Sequence, residues 1–175
     1  MKAGSKHLKK NAKLQAQWLR STGLIIVVVL LATSLLLNLF QMVFPVVKYY
    51  GTGMEPSLKD GQILIVNKLA KIKKGDIVAF YFNNKVLVRR VIAAEGDEVS
   101  IDMFGAVSVN GKVLEEPYAS EKTLGQCNLK FPYTVPAHHY FVLGDQRQVA
   151  MDSRLKEIGS VDRDRMIGKV FFTLN

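Results

Sequence analysis

With a single cysteine in 175 residues, Cys127, the chain has no means of forming an intrachain disulfide, so packing and hydrogen bonds must hold whatever folds. As a nucleophile, Cys127 would need a base such as His138 or His139. No motif of that kind surrounds it, and it reads as a packed or loop thiol. Acidic residues are missing from residues 1–22, where Lys2, Lys6, Lys9, Lys10, Lys13 and Arg20 supply six of the nine net positive charges. Between Gly23 and Phe44 charge of either sign is missing. There are no internal repeats and no low-complexity stretches. Also missing are a basic recognition helix and an aromatic RNA-binding pattern, so a pI near 9.7 does not argue for a nucleic-acid partner. No pattern calls for a metal or another cofactor, and none is expected.

The long run that is present reads GLIIVVVLLATSLLLNLFQMVF. As a helix it reaches about 33 Å, enough to cross a bilayer core. A buried core helix would be less continuously apolar. A cleaved signal peptide has a shorter apolar region and a small-x-small site after it, which is not found past Phe44. The expectation is three segments: a basic cytoplasmic stretch at 1–22, a transmembrane helix at 23–44, and an extracytoplasmic domain at 45–175. The orientation comes from the excess of lysine and arginine before the apolar run.

After Pro45 the pattern changes to short β-branched and aromatic runs at 63–69, 77–82, 86–94, 106–111, 140–145 and 169–175. Turn signals such as KDG, KKGD, NNK, EGD and NGK separate them. FNNK between two of these runs predicts a hairpin. The fold class expected is mainly β, an antiparallel sheet or barrel-like domain behind one N-terminal transmembrane helix. The polar, proline-punctuated stretch 115–139 reads as a long loop or insertion.

Four stretches then occur in order: GTGMEPSL, KKGDIVAF, VRRVIAAEGDEV and GDQRQVAMDSR, with VSVNGKVLEEPY between the third and the fourth. Together they resemble the boxes of type I signal peptidases of the Gram-positive type. That resemblance implies a β-rich ectodomain and, in active members, a serine nucleophile activated by a neutral lysine, with a second serine orienting the lysine. A lysine can act so only when desolvation lowers its pKa.

Carried over residue by residue, the nucleophile position is Gly53, the general-base position is Arg89 and the base-orienting position is Ala150. Glycine has no side chain, alanine has no polar atom, and a guanidinium does not deprotonate in proteins. Gln146 stands where the family has asparagine. The residues bracing the site are kept: Gly144, Asp145, Arg147, Asp152, Ser153 and Arg154, with Asp152 and Arg154 expected to pair. Met54 and Pro56 are expected to hold the turn beside Gly53, and Gly75, Asp76, Gly96 and Asp97 also match the pattern. Ser57 and Ser153 read as structural hydroxyls, and Lys85 lies too far along its strand to replace Arg89.

The resemblance further implies recognition of an extended peptide by strand pairing. The expected contacts are Gly51, Thr52, Met54, Pro56, Val86 and Val88, within the stretches Tyr50–Met54 and Val86–Arg89. The leading reading is therefore a membrane-anchored, non-catalytic homologue that binds peptides or partner proteins. Inactive relatives carried with pilus genes in some Gram-positive bacteria suggest a pilin or a sortase as the partner, and an accessory or chaperone-like role in pilus assembly. The competing readings are an active peptidase that cleaves the signal peptides of secreted proteins, and a degenerate paralogue with little function.

Overall fold

The computed structural model describes residues 2–174, with side chains from residue 18 onward. The helix α1 runs Lys2–Val43, and a separate compact unit begins at Val43. The segment Trp18–Val43 of α1 is long and apolar enough to cross a membrane. The helix stops just before Pro45, whose ring disfavours helical geometry at the preceding residue.

The second unit is antiparallel throughout. Its strands are β1 (Val46–Lys48), β2 (Ile63–Asn67), β3 (Ile77–Phe82), β4 (Lys85–Ala94), β5 (Glu98–Ile101), β6 (Val107–Val109), β7 (Lys112–Val113), β8 (Tyr133–Thr134), β9 (His139–Leu143), β10 (Val161–Asp162) and β11 (Met166–Leu174). A seven-stranded sheet has the order β1-β2-β11-β3-β4-β9-β10, and a four-stranded sheet has the order β7-β6-β5-β8. The expected class, mainly antiparallel β behind one N-terminal apolar helix, is what is found.

Phe82 pairs with Lys85 across a two-residue turn in which Asn83 and Asn84 both have positive φ. That is the geometry a right-twisted hairpin favours. Asn110-Gly111 closes β6 onto β7 in the same way. In β2 the burial alternates, with Leu64 and Val66 inside, as one wet face requires. The middle of β3 is buried on both faces, with Val78 and Phe80 in one cluster and Ala79 in the other. A third cluster, around Phe141, Leu143, Val99 and Val107, joins the small sheet to the large one. The strands β1, β5, β7, β8 and β10 are not among those expected from the sequence. All are two to four residues long, too short to show a period of two.

Asp97 holds the junction of the two sheets. Its carboxylate accepts from Lys74 at 3.0 Å, from the Ala94 amide at 2.9 Å and from the Asn110 amide side chain at 2.7 Å. Burial alone would raise its pKa, but these donors outweigh burial and hold it below the ordinary carboxylate value. A depressed carboxylate contributes stability in full above its unfolded value, about 3.9, and loses it as pH falls through the lower folded value. Melting temperature is expected to drop below about pH 4, and Asp97→Asn is expected to flatten that drop while lowering stability at pH 7.

Candidate functional site

Three segments of the β unit converge on one point. The chain leaves β1 into a tight turn at 49–58, β4 passes beside it, and the loop 144–154 closes from the far side. Met54 is fully buried in this turn, its amide donating to the Tyr49 hydroxyl at 3.0 Å, and Leu58 N–H donates to Met54 C=O at 2.9 Å. Gln146 N–H donates to Gly53 C=O at 3.1 Å, fastening the loop to the turn. Gly144 must be glycine, because a Cβ there would overlap Ala150 Cβ and Gly53 C=O.

Gly53, Arg89 and Ala150, far apart in the chain, are neighbours here. A Cβ built on Gly53 would lie 3.2 Å from Arg89 Nη2 and 3.4 Å from Ala150 Cα. The guanidinium of Arg89 therefore lies against the space a side chain at 53 would enter. Arg89 is buried, with 6% of its surface exposed. Its Nε donates to Met151 C=O at 2.8 Å and its Nη1 to Val88 C=O at 2.6 Å. Burial lowers its pKa, while the Asp152 carboxylate and Tyr49 work the other way. A guanidinium starts so high that it remains a cation. Burial also raises the Tyr49 phenol, partly offset by Arg89.

Around this centre the charged residues are paired. Asp152 accepts from Arg154 Nε and Nη2, both at 2.8 Å, and from the Gly144 amide at 2.9 Å. Arg154 also donates to Arg147 C=O at 2.7 Å and Leu124 C=O at 2.7 Å. Arg147 pairs with Glu116 at 2.6 Å, both side chains fully buried, and donates to Gly144 C=O at 2.9 Å. Arg90 pairs with Asp145 at 2.5 Å and lies 4.1 Å from the Tyr118 ring centre. Burial and the neighbouring Glu116 push the Tyr118 phenol well above its ordinary value. The 115–139 stretch is thus no detached loop, since Glu116, Tyr118 and Leu124 are built into the brace.

Beside the centre runs a groove of about 860 Å³, lined by Tyr50, Gly51, Lys68, Tyr81, Lys85 and Val86 among others. Two backbone edges border it. β1 is a terminal strand, pairing only with β2. Along β4, residues Lys85–Arg89 pair with β3 on one side, whereas pairing with β9 on the other begins only at Arg90. Val91 N–H and C=O both engage the β3 side, through Asp76 and Gly75. Backbone groups alternate direction along a strand, so those of Val86 and Val88 point to the open side. By the same reasoning Tyr50 points its backbone groups away from Gln62 and Gly61, which Tyr49 engages.

Comparison with known proteins matches residues 16–175 to the family model described as signal peptidase, peptidase S26. The chain belongs to this family. It is 37% identical to signal peptidase I of Bacillus licheniformis over 95% of this chain and 92% of that protein. It is 36% identical to signal peptidase IB of Staphylococcus aureus (strain Mu50) over 70% of this chain and 73% of that protein. A solved signal peptidase I from Enterococcus faecalis V583 superposes with a TM-score of 0.50 at 27% identity, covering 58% of this chain and 98% of the other.

In this signal peptidase homologue Thr52 C=O accepts from Glu55 N–H within the turn, and Pro56 follows one residue later. The Ser57 hydroxyl accepts from Arg90 Nη2 at 3.1 Å, and the buried Ser153 hydroxyl accepts from Val142 N–H at 2.9 Å. Lys85 is exposed at the start of β4 and lines the groove. Cys127 is half-buried, with its thiol 3.6 Å from Leu129 C=O. His138 is held through its amide by Glu95, and the His139 ring sits against Ala137 C=O and Asp162. Sequence reasoning misses Tyr49, Arg90, Glu116 and Tyr118 as parts of the site. Only the proline-tyrosine at 117–118 hints at them, as part of a family box.

Proposed function

We propose that this signal peptidase homologue binds extended peptide segments without cutting them. The observation that carries this reading is Arg89, a fixed cation packed beside a glycine at the point where the groove's two edges lead. No hydroxyl or thiol stands at position 53, and no group that titrates near neutrality stands at position 89. Strand addition needs only the free backbone groups, which the Val86 and Tyr50 edges still offer. The apolar segment Trp18–Val43 would anchor the protein as a single-pass helix, with the basic residues before it in the cytoplasm and the β unit outside. The accessory role in sortase-dependent pilus assembly belongs to this proposal, with a pilin or a sortase as the partner.

A second reading, an active signal peptidase, is favoured by the identity to Bacillus licheniformis signal peptidase I over nearly the whole chain. One experiment separates the two. Full-length protein in detergent is incubated with a signal-peptide-bearing preprotein, using the Staphylococcus aureus signal peptidase IB as the positive control, and products are read by mass spectrometry. The expected result is intact substrate when the control has gone to completion. Cleavage after a small-x-small site would establish the second reading instead. The orientation is checked by protease added to intact cells, which is expected to digest the β unit and spare the basic N-terminal segment.

A further inference from the structure

We infer that the groove ends in a site for a free C-terminal carboxylate, so that the peptide it takes is a chain end rather than an internal segment. This rests on the reading that the groove pairs with an extended peptide. It is derived from two features of Arg89 and from the sense in which a strand can be added.

The first feature is the position of the charge. The groove lining reaches Gly51 on one side and Leu87 on the other; Gly53 and Arg89 each lie two residues further on, which along β4 is about 7 Å. Nε and Nη1 of Arg89 are committed to Met151 C=O and Val88 C=O. Its Nη2 faces Gly53, where even a Cβ would lie 3.2 Å away. Among the described residues Arg89 forms no salt bridge. A buried cation without an ion-pair partner at the end of the groove suits a carboxylate, and a guanidinium holds a carboxylate through directed hydrogen bonds.

The second feature is the Val88 carbonyl. On the open side of β4 the backbone groups are Val86 N–H and C=O and Val88 N–H and C=O. Arg89 already occupies the last of these at 2.6 Å. A strand added parallel to β4 places one of its residues between Val86 and Val88, donating to Val86 C=O and accepting from Val88 N–H. The next amide to face β4, two residues on, would have to share Val88 C=O with the Arg89 guanidinium. A chain that ends one residue after the paired one has no such amide, and its terminal carboxylate falls beside Arg89. The antiparallel sense pairs with Val86 and with the Val88 N–H, but it brings the chain's amino end toward Arg89, where like charges repel. Lys48, Lys68 and Lys85 around the groove add positive charge of the same sense.

The test uses a random hexapeptide pool made once with free C-terminal acids and once as C-terminal amides. Each pool is offered to the full-length protein in detergent, and retained peptide is measured by mass spectrometry. The acid pool is expected to be retained at least about tenfold better than the amide pool, the range for hydrogen bonds to a charged group. Arg89→Met is expected to bring the acid pool down to the amide level. Val86→Pro removes the edge amide that donates to the peptide residue two before the paired one, without touching the β3 ladder, and it is expected to lower retention of the acid pool several-fold. Equal retention of both pools that Val86→Pro lowers would overturn the chain-end site and leave the groove reading standing. Retention of neither pool by a protein with wild-type melting would overturn both.

Discussion

Gly53→Ser, Arg89→Lys and Ala150→Ser combined in one chain are expected to raise signal-peptide cleavage above that of the parent, with a gain in kcat of at least about 10⁴-fold. In other serine hydrolases, loss of the nucleophile or its base costs roughly 10⁶ in kcat, and removing all catalytic groups together costs little more than removing one. The converse follows for restoration. Each single change, and each pair, is expected to stay near background, because a serine without its base is a poor nucleophile. The geometry admits a side chain at position 53 once position 89 is lysine. A Cβ at Gly53 is crowded mainly by the mobile end of Arg89, at 3.2 Å, and lysine in place of arginine withdraws that end. Gly53 is not among the positive-φ glycines, so an L side chain meets no backbone strain there. The lysine would inherit a buried position in which desolvation lowers its pKa, as Arg89's own shift shows. Asp152 would oppose that lowering, but its carboxylate is already paired with Arg154. A triple variant with unchanged melting and no product would sink the assignment of these positions as the catalytic ones.

Local chemistry makes part of this architecture legible in the sequence. The Asn-Asn turn, the alternation in β2 and the glycine-aspartate turns are short-range signals, and each is local to a few residues. The convergence of positions 53, 89 and 150 is legible only through the order of the family boxes, since no periodicity connects residues so far apart. What stays hidden is a matter of direction and partner. That Arg89 turns back onto Val88 C=O, and so blunts the edge it stands on, depends on a rotamer that no sequence pattern encodes. Glu116 is hidden for a different reason. It sits in a polar, proline-rich stretch that resembles solvent-facing loop, and burial of a carboxylate becomes evident only when its arginine, 31 residues away, is placed beside it.

That pair supplies the largest stability effect expected of a single substitution. Glu116→Gln is expected to destabilise the β unit by about 3–5 kcal/mol, the usual result of leaving one member of a buried ion pair without its counter-charge. For a unit of this size that corresponds to a fall in melting temperature of about 10–20 °C. The Arg147 guanidinium would remain fully buried, with Gly144 C=O as its other acceptor. Replacing both partners by apolar residues, Glu116→Leu with Arg147→Met, is expected to recover most of the loss, because the desolvation of two charges is then no longer required. The two outcomes separate charge pairing from hydrogen bonding. If Gln alone and the apolar pair cost the same, the loss lies in the hydrogen bonds of the pair rather than in an uncompensated buried charge. If the single change is far worse, the pair fixes where that stretch lies. Arg147 C=O accepts from Arg154, and Gly144 packs against Gly53, so amide exchange at 144–154 should then rise with the loss of stability. The brace around an arginine that cannot act as a base would thereby be shown to keep the shape of the turn and loop around Gly53.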